Sequence, residues 1–511
     1  MKTQFAFLLL AFTAVTAYAQ SEFDGFALYN QQNENTAYLI DKEGDIAHSW
    51  ACDLPCNYTV LLKNNGNIVR GAINPNNTLD GAAQGGRVQE IAPNGSIVWE
   101  FTYSDATHLS HHDITLVNDN VLLTAWEVKS TPELTQAGYD DASSSKWPTH
   151  FIEVANNGSG GGEIVWEWHL WDHLIQDHDS SKDNFGVVAE HPELIDINML
   201  PEMGGGGGPG PGGNSGDWFH VNGINYNSDL DQIAFSSRHA SEVFIIDHST
   251  TTLQAASHAG GNSNKGGDLL YRWGNPSNYG APGTQQIAEA VHDVRWITND
   301  GRPNSGFLQF YNNNGGGNSA STVDAIQTPV NGFNYDLSPG QAYGPSSYTW
   351  RHSCEGYSSG QSSQNSMTNG NVFVNMSGGQ GGAGYMYEAD SLGNVIWQYN
   401  AGGTPKAFRY ECKDPGIIAL LDNPCSIDET AIDETSLSQF VVTPNPSNGI
   451  FTIEGIRSSN FSVTVVNAFG QLVHKQTTDQ LDLSDCANGL YFIAVKAENG
   501  SSTLRSVSII K

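Results

Sequence analysis

The chain has 511 residues, a formal net charge of −32 and only 22 lysine and arginine residues. This balance argues against a nucleic-acid partner, because phosphate backbones are held by lysine and arginine side chains. The 56 glycines and 12 tryptophans, together with a charged fraction of only 15%, favour a turn-rich all-β protein.

The first residues have the features of an export signal. Residues 1–19 contain Lys2, an apolar run from Phe5 to Val15 and a final Ala-Tyr-Ala. This order is typical of a secretory signal peptide, so we expect cleavage near Gln20 and export of the mature chain. No later apolar run has the length of a bilayer span, so we expect no membrane span.

One hairpin pattern occurs six times between residues 21 and 420. Each copy has an apolar strand, a polar turn with Gly or Asn, and a second strand that ends in Trp or Tyr. The copies are Tyr38–Trp50, Arg87–Phe101, Phe151–Trp168, Val243–Trp273, Phe333–Trp350 and Tyr385–Tyr399. A single hairpin cannot bury its apolar face, whereas a closed ring of hairpins can. We therefore predict a six-bladed β-propeller over residues 21–420.

The character of the chain changes after the repeats. Residues 421–436 contain five carboxylates and no basic residue, which predicts an acidic linker. Residues 437–511 contain short alternating strands, which predict a small C-terminal Ig-like β-sandwich.

The stretch Asp217 to Asp247 contains the most informative polar residues. His220 and Asn222 lie on the same face of an extended segment, because strand side chains alternate. Arg238 ends the next strand-like run. An imidazole, a carboxamide and a guanidinium that converge can bind a tetrahedral oxyanion. The alternative is a hairpin with ordinary, satisfied polar side chains.

Two further stretches share a His-Asp pair followed by an aliphatic residue. His112-Asp113 and His292-Asp293 both lead into apolar strands. Repeated polar groups at strand starts are typical of a radial fold that directs several blades at one axis.

These residues resemble a known active site. In chain order, His112, His220, Asn222, Arg238 and His292 are similar to the catalytic set of the arylsulfate sulfotransferase family. Bacterial members are six-bladed propellers that move a sulfuryl group from a phenolic sulfate to another phenol, without a nucleotide donor.

The resemblance implies a role for each residue. His292 would be the nucleophile that forms a sulfohistidine, and Arg238, His220 and Asn222 would bind the sulfuryl oxygens. His112 would act as an acid toward the leaving phenolate or as a further oxygen donor. The donor and acceptor would be a phenolic sulfate and a phenol, with no cofactor.

An aromatic cluster precedes the central stretch. Trp168, His169 and Trp171 could line the mouth of the propeller and stack on an aromatic substrate, while core packing is the alternative. We expect no metal site, because the Cys52-x₃-Cys56 spacing has no partner pair at zinc-site distance. These two cysteines could instead form a disulfide in an exported chain.

The C-terminal residues carry a second resemblance. Pro444–Gly449, Asn467–Gly470 and Asn488–Tyr491 are similar to the C-terminal sorting domain of the type IX secretion system of Bacteroidetes. This resemblance implies the type IX secretion machinery as a partner, and a protein that is secreted or displayed on the outer cell surface.

The sequence leaves two other functions open. A propeller with this framework could be a non-catalytic surface-binding module, or a sulfate ester hydrolase that uses the same site. Departures from the family pattern bear on substrate and rate. Val291 precedes the proposed nucleophile where glutamine is expected, and the closing blade has Ser359-Gly360-Gln361 where a Ser-Gly-Ala-Gln turn is expected. The glycine-rich tract at residues 204–213 is either a lid or an inert insertion.

Overall fold

The computed structural model describes residues 23–200, 216–283, 287–317, 320–377, 384–422, 424–425, 441–454, 461–467, 471–497 and 502–511. The expected signal peptide, the glycine-rich tract and most of the expected linker lie outside the described residues. The chain forms two compact units, residues 1–424 and residues 425–511. The finer domain boundaries near residues 420 and 437 stay predictions.

The first unit contains six four-stranded antiparallel sheets, each an up-and-down blade. The strands of the first three blades are β1 (Gly25–Asn30), β2 (Thr36–Ile40), β3 (Ile46–Ala51) and β28 (Ala407–Glu411); β4 (Cys56–Leu62), β5 (Ile68–Ile73), β6 (Gly86–Ile91) and β7 (Ile97–Thr102); and β8 (His108–Val117), β9 (Asn120–Glu127), β10 (Thr149–Asn156) and β11 (Gly162–His169).

The other three blades have the same order. Their strands are β14 (Val221–Asn227), β15 (Gln232–Ser237), β16 (Glu242–Asp247) and β17 (Leu269–Trp273); β18 (His292–Trp296), β19 (Leu308–Asn312), β20 (Thr322–Ile326) and β23 (Trp350–Ser353); and β24 (Ser363–Ser366), β25 (Val372–Met376), β26 (Tyr385–Ala389) and β27 (Val395–Tyr399).

The innermost strands close a ring. In the order β4, β8, β14, β18, β24 and β28, each strand contacts the next, and β28 contacts β4. The last strand, β28, pairs with β1, so residues from both ends of the unit share the first blade. The six-bladed propeller is therefore confirmed, and its core lies between the facing surfaces of neighbouring blades.

The repeated hairpin pattern has a physical basis. In the turn between β6 and β7, the Ala92 N–H donates to the Ser96 carbonyl at 2.9 Å, and Gly95 adopts a φ of 83°, which favours glycine. Four tryptophans in the second strands of these hairpins are fully buried: Trp50, Trp99, Trp168 and Trp273. These four hairpins thus each contribute a large apolar side chain to the core.

One predicted hairpin is wrong in its first strand. The hairpin predicted over Phe333–Trp350 begins at β20 (Thr322–Ile326), which pairs with β23. The intervening residues form a separate two-stranded hairpin of β21 (Val330–Asn331) and β22 (Asn334–Tyr335). The second strand begins at Trp350, the residue at which the hairpin was predicted to end.

The remaining described elements of the first unit lie between the blade strands in the chain, except for α3, which follows the last of them. They are the parallel pair β12 (Leu174–Ile175) and β13 (Ile195–Asp196), the helices α1 (Thr131–Ala137), α2 (Thr252–Ala255) and α3 (Pro415–Leu420), and the 3₁₀ turns Leu170–Asp172, Val188–Glu190 and Pro276–Tyr279. No helix in the described ranges is long and apolar enough to cross a membrane.

The second unit is the predicted β-sandwich. Its strands are β29 (Val441–Thr443), β30 (Ile450–Glu454) and β33 (Gln480–Asp482) in one sheet, and β31 (Phe461–Asn467), β32 (Leu472–Gln476), β34 (Gly489–Ala497) and β35 (Ser502–Ile509) in the other. Residues from both sheets share one core.

The cysteines differ from the expected pattern. Cys412 and Cys425 each take part in a disulfide, whereas Cys52 and Cys56 are free thiols. The predicted small disulfide loop between Cys52 and Cys56 is therefore wrong in this structure. Cys56 instead donates a hydrogen bond to the Gln31 carbonyl at 2.8 Å.

Candidate active site

Three of the predicted site residues, His112, Asn222 and His292, lie at irregularities of three innermost strands, whereas His220 directly precedes β14 and Arg238 directly follows β15. The pairing register shifts between Ser110 and Ile114 in β8, between Val221 and Gly223 in β14, and between His292 and Arg295 in β18. His112, His220 and Asp293 adopt positive φ values of 48°, 53° and 52°. Such bulges re-aim side chains, and uncommon backbone conformations of this kind cluster at functional sites.

His112 and His220 are in direct contact. Their ring centroids lie 4.5 Å apart, with planes at 74°. Nδ1 of His112 lies 2.8 Å from Nδ1 of His111, and Nδ1 of His220 lies 2.5 Å from Oδ2 of Asp217. Burial and the neighbouring histidines hold the pKa of His112 well below its usual value. His112 is therefore neutral near pH 7.

Asp217 orders the surroundings of His220. Its Oδ1 accepts hydrogen bonds from Trp126 Nε1 at 3.0 Å and from the His220 backbone N–H at 3.2 Å. Burial alone would raise the pKa of Asp217, but the contact with His220 lowers it to about 2. Asp217 is thus a carboxylate that fixes the orientation of the His220 ring.

His292 is buried, and one of its nitrogens is held firmly. Nδ1 lies 2.6 Å from Oδ1 of Asn313 and 3.1 Å from the Ala290 carbonyl, and both oxygens are acceptors. Nδ1 therefore carries the proton, and the lone pair is on Nε2. Burial, followed by the charges of Arg238 and His220, holds the pKa of His292 well below its usual value.

The three histidines share a pattern of engagement. In each of them Nδ1 is bonded to a neighbour, and Nε2 hydrogen-bonds to no residue in the described part of the chain. Three Nε2 atoms thus remain for a ligand.

Arg238 is a cation for which the described part of the chain supplies no counter-ion. Its Nη1 is buried and has no hydrogen-bond partner among the described residues, and none of the ion pairs there includes it. Burial lowers the pKa of its guanidinium. The charge of Arg238 acts on His292, so the two groups lie within electrostatic reach. An unpaired buried guanidinium is suited to bind an oxyanion.

Asn222 has a structural role as well as a role as a candidate hydrogen-bond donor to the ligand. Its Nδ2 donates to the Val291 carbonyl at 2.8 Å, and its Oδ1 accepts from Ser236 Oγ at 2.7 Å. These contacts tie the fourth blade to the residue before His292. A second amide hydrogen remains on Nδ2 for a ligand.

Lys406 joins the two His-Asp pairs. Its Nζ lies 2.7 Å from Oδ2 of Asp113 and 3.2 Å from Oδ1 of Asp293, and all three side chains are almost fully buried. Asp113 also accepts from the Ile224 N–H at 2.9 Å. The residues after both histidines are therefore anchored to one ammonium group.

Sequence reasoning assigned no role to three of these contributors: Asp217, Asn313 and Lys406. A signal for Asp217 was present, because it lies three residues before His220. Asn313 directly follows β19, and Lys406 directly precedes β28. No local motif connects either residue to the histidines. Asp293, which follows His292 in the chain, contacts Lys406 and Arg295.

One member of the aromatic cluster, Trp168, differs from its predicted role. Trp168 is fully buried, stacks on Phe151 at 5.0 Å and donates to the Gly267 carbonyl at 2.7 Å. It is a core residue, which leaves no ring face for a substrate. Trp171 is partly buried and lies under Lys129, whose Nζ is 5.0 Å from the ring centroid. His169 contacts carboxylates in the third blade instead of a site histidine.

Comparisons with known proteins agree with the two-part organisation. The C-terminal residues 441–510 match the model of the secretion system C-terminal sorting domain, which indicates delivery to the outer surface or the extracellular space. No curated protein matches the chain.

The solved structures that are similar to this chain include a protein of unknown function from Bacteroides caccae. It has 13% identity, covers 76% of this chain and 98% of that chain, and has a TM-score of 0.41. Another is the β-propeller domain of Cps50 (Swd1) from Myceliophteria thermophila, with 8% identity over 78% and 96% and a TM-score of 0.35. The model of the arylsulfotransferase (ASST) family matches residues 13–413, most of the chain, and the protein therefore belongs to that family.

Proposed function

We propose that this protein transfers a sulfuryl group from a phenolic sulfate to a phenol through a sulfohistidine at His292. One observation carries the proposal: Nδ1 of His292 is fixed by Asn313, which leaves the Nε2 lone pair of a neutral imidazole near the unpaired guanidinium of Arg238. Neutral imidazole is a competent nucleophile near neutral pH.

In the first displacement Nε2 of His292 attacks the sulfur of the donor. A nitrogen–sulfur bond forms, the bond from sulfur to the phenolic oxygen breaks, and a phenolate leaves with the electron pair. Arg238, together with the remaining amide hydrogen of Asn222, binds the sulfuryl oxygens. Donors that are oriented before the reaction stabilise the charge of the transition state without reorganisation.

His220 is the candidate acid for the leaving phenolate. Its Nδ1 lies 2.5 Å from the Asp217 carboxylate, which orients the ring and leaves Nε2 to act as the proton donor. In the imidazolium form of His220, Nε2–H donates its proton to the phenolate. His112, held in van der Waals range of His220, contributes a second imidazole nitrogen to the sulfuryl oxygens.

The second displacement moves the sulfuryl group from His292 to the acceptor, with the proton transfer reversed. The acceptor phenol gives its proton to Nε2 of His220, its oxygen attacks sulfur, and the bond to His292 breaks. The imidazole of His292 and the imidazolium of His220 are thereby restored, so no cofactor or net proton is consumed. The secretion signal of the C-terminal unit supports phenolic compounds outside the cell as the substrates.

Incubation of the protein with a chromogenic aryl sulfate, with and without a phenol, tests the proposal. We expect release of the chromophore to accelerate with added phenol, and the sulfated phenol to appear by mass spectrometry. Release that is independent of phenol and yields inorganic sulfate would instead identify a hydrolase. The absence of release by a folded sample would favour a non-catalytic binding module.

The pH dependence of the first displacement tests the state of the nucleophile. A free histidine loses its lone pair below about pH 6.5. Because burial and Arg238 hold the pKa of His292 well below that value, its lone pair persists as the pH falls through 6.5. We expect adduct formation from a donor with a weakly basic leaving group, such as nitrophenyl sulfate, to show no acid limb near pH 6.5. Half-maximal adduct formation near pH 6.5 would contradict this assignment.

A further inference from the structure

A second cluster of histidines lies in the third blade, outside the proposed active site. Glu127 ends β9, His150 lies near the start of β10, and His169 ends β11. One ligand atom from each residue lies within 4.8 Å of the other two. Oε1 of Glu127 and Nδ1 of His169 are 3.2 Å apart. The rings of His150 and His169 are parallel, with centroids 4.9 Å apart.

The far atom of each side chain in this cluster is held by an outer partner. Nε2 of His150 lies 2.9 Å from the Tyr103 hydroxyl, and Nε2 of His169 lies 3.2 Å from Oε2 of Glu167. Oε2 of Glu127 lies 2.7 Å from Lys129 Nζ. Outer contacts of this kind fix the histidine tautomer and the orientation of a metal ligand.

His150 is the residue that ion pairing alone leaves unexplained. Its side chain is fully buried, and its Nδ1 has no hydrogen-bond partner among the described residues. A contact of Nε2–H with the Tyr103 hydroxyl leaves the lone pair on Nδ1 without a protein partner and available to an ion.

An imidazolium at His169 between two carboxylates would account for Glu127 and Glu167 but not for His150. Buried polar atoms without a partner are rare in native proteins, and an unseen ion is one of their recognised explanations.

Another cluster in the described residues, His173, His258 and Asp268, lacks this property. Both ring nitrogens of His173 already have protein partners, Asp268 and the Ala255 carbonyl. This cluster therefore leaves no nitrogen of its buried histidine unsatisfied.

We propose that Glu127, His150 and His169 bind one Zn²⁺ ion, with a fourth position left open to solvent. Two imidazole nitrogens and one carboxylate oxygen are a ligand set that zinc takes in tetrahedral sites with one open position. The side chain of His169 is 26% exposed, which gives an ion a path from solvent. None of the three ligands belongs to the proposed sulfotransferase site.

Sequence analysis expected no metal site, and the reason is clear from the fold. The three ligands come from three different strands, and no short motif connects them. His169 was assigned to substrate binding on the basis of its aromatic neighbours. Strand pairing places His150 directly opposite His169, which only the sheet register determines.

The test is a zinc titration of the full chain after removal of bound metal with a chelator. We expect one tightly bound Zn²⁺ per chain, measured by competition with a chromophoric chelator and by elemental analysis after gel filtration. Tyr103→Phe should weaken binding by about 10- to 100-fold, the usual effect of losing an outer contact. His169→Ala and His150→Ala should weaken it further, since each removes a ligand.

Two control variants keep the site distinct from other histidines. His258→Ala and His292→Ala should both retain the ion. His258 lies in the cluster with His173 and Asp268, and His292 lies in the proposed active site. Retention of zinc by His169→Ala, or its loss in His292→Ala, would overturn the proposal, as would the absence of stoichiometric binding. If His150→Ala does not fold, the half-buried His169 and the conservative Tyr103→Phe variant still decide the outcome.

Discussion

Replacing His292 by alanine is expected to abolish covalent sulfation of the chain and to lower transfer by roughly 10⁴- to 10⁶-fold, as for loss of a catalytic nucleophile. The physical reason is that Nε2 of His292 is the neutral nitrogen whose partner, Nδ1, is fixed by Asn313. Mixing wild type with donor alone should add one sulfuryl mass to the peptide that contains His292. The kinetics with donor and acceptor should be ping-pong.

Asn222→Ala is the matched variant for this experiment. It removes one candidate oxyanion donor and its contact with the Val291 carbonyl, but it keeps His292 and the Asn313 contact to its Nδ1, so we expect slower adduct formation by about 10²- to 10³-fold. The adduct should still map to His292. A sulfated peptide of unchanged yield in His292→Ala would transfer the nucleophile assignment to His112 or His220.

The blade count was predictable because each hairpin carries its own signal. Gly95 in a turn and Trp99 in the following strand are local features, and similar pairs recur around the ring. The fifth blade was misassigned because two stretches, Thr322–Ile326 and Asn334–Tyr335, both precede Trp350. Only lateral pairing of β20 with β19 selects the first of them, and that contact is not local.

The prediction that Trp168 lines the mouth of the propeller was wrong, and strand geometry explains why. Residues two apart in a strand share a face, so Trp168 lies with the buried Trp166, and His169 lies on the opposite face. Alternation alone therefore predicts Trp168 in the core. The density of aromatic residues was a weaker guide than their spacing.

The three histidines were recognisable from sequence, but the groups that orient them were not. His112 and His292 are each followed by an aspartate, and His220 by Val221 and Asn222. Their partners arrive from elsewhere in the ring: Lys406 is separated from Asp113 by 293 positions and from Asp293 by 113. Such contacts depend on ring closure, which brings the last innermost strand beside the others.

Lys406 thus contributes both to the closure of the propeller and to the positioning of the candidate catalytic residues. It precedes β28, the strand that closes the ring, and its ammonium binds the aspartates that follow His112 and His292. Closure of the ring therefore also fixes the backbone next to two of the candidate catalytic imidazoles. Asp293 has a second cation in Arg295, at 2.9 Å, whereas Lys406 is the only cation paired with Asp113 among the described residues.

Lys406→Met is expected to destabilise the propeller by about 3–5 kcal/mol, the usual cost of removing one partner of a buried ion pair. The methionine fills most of the volume, so the loss reports the uncompensated carboxylate of Asp113 and not a cavity. The measurement is the urea unfolding midpoint, followed with the rate of adduct formation at His292 under native conditions. Asp113→Asn in the Lys406→Met background removes the unpaired charge and should recover much of the lost stability, which a double-mutant cycle quantifies. An unchanged midpoint in Lys406→Met, or additive losses in the double variant, would show that the ammonium does not hold the two His-Asp pairs together.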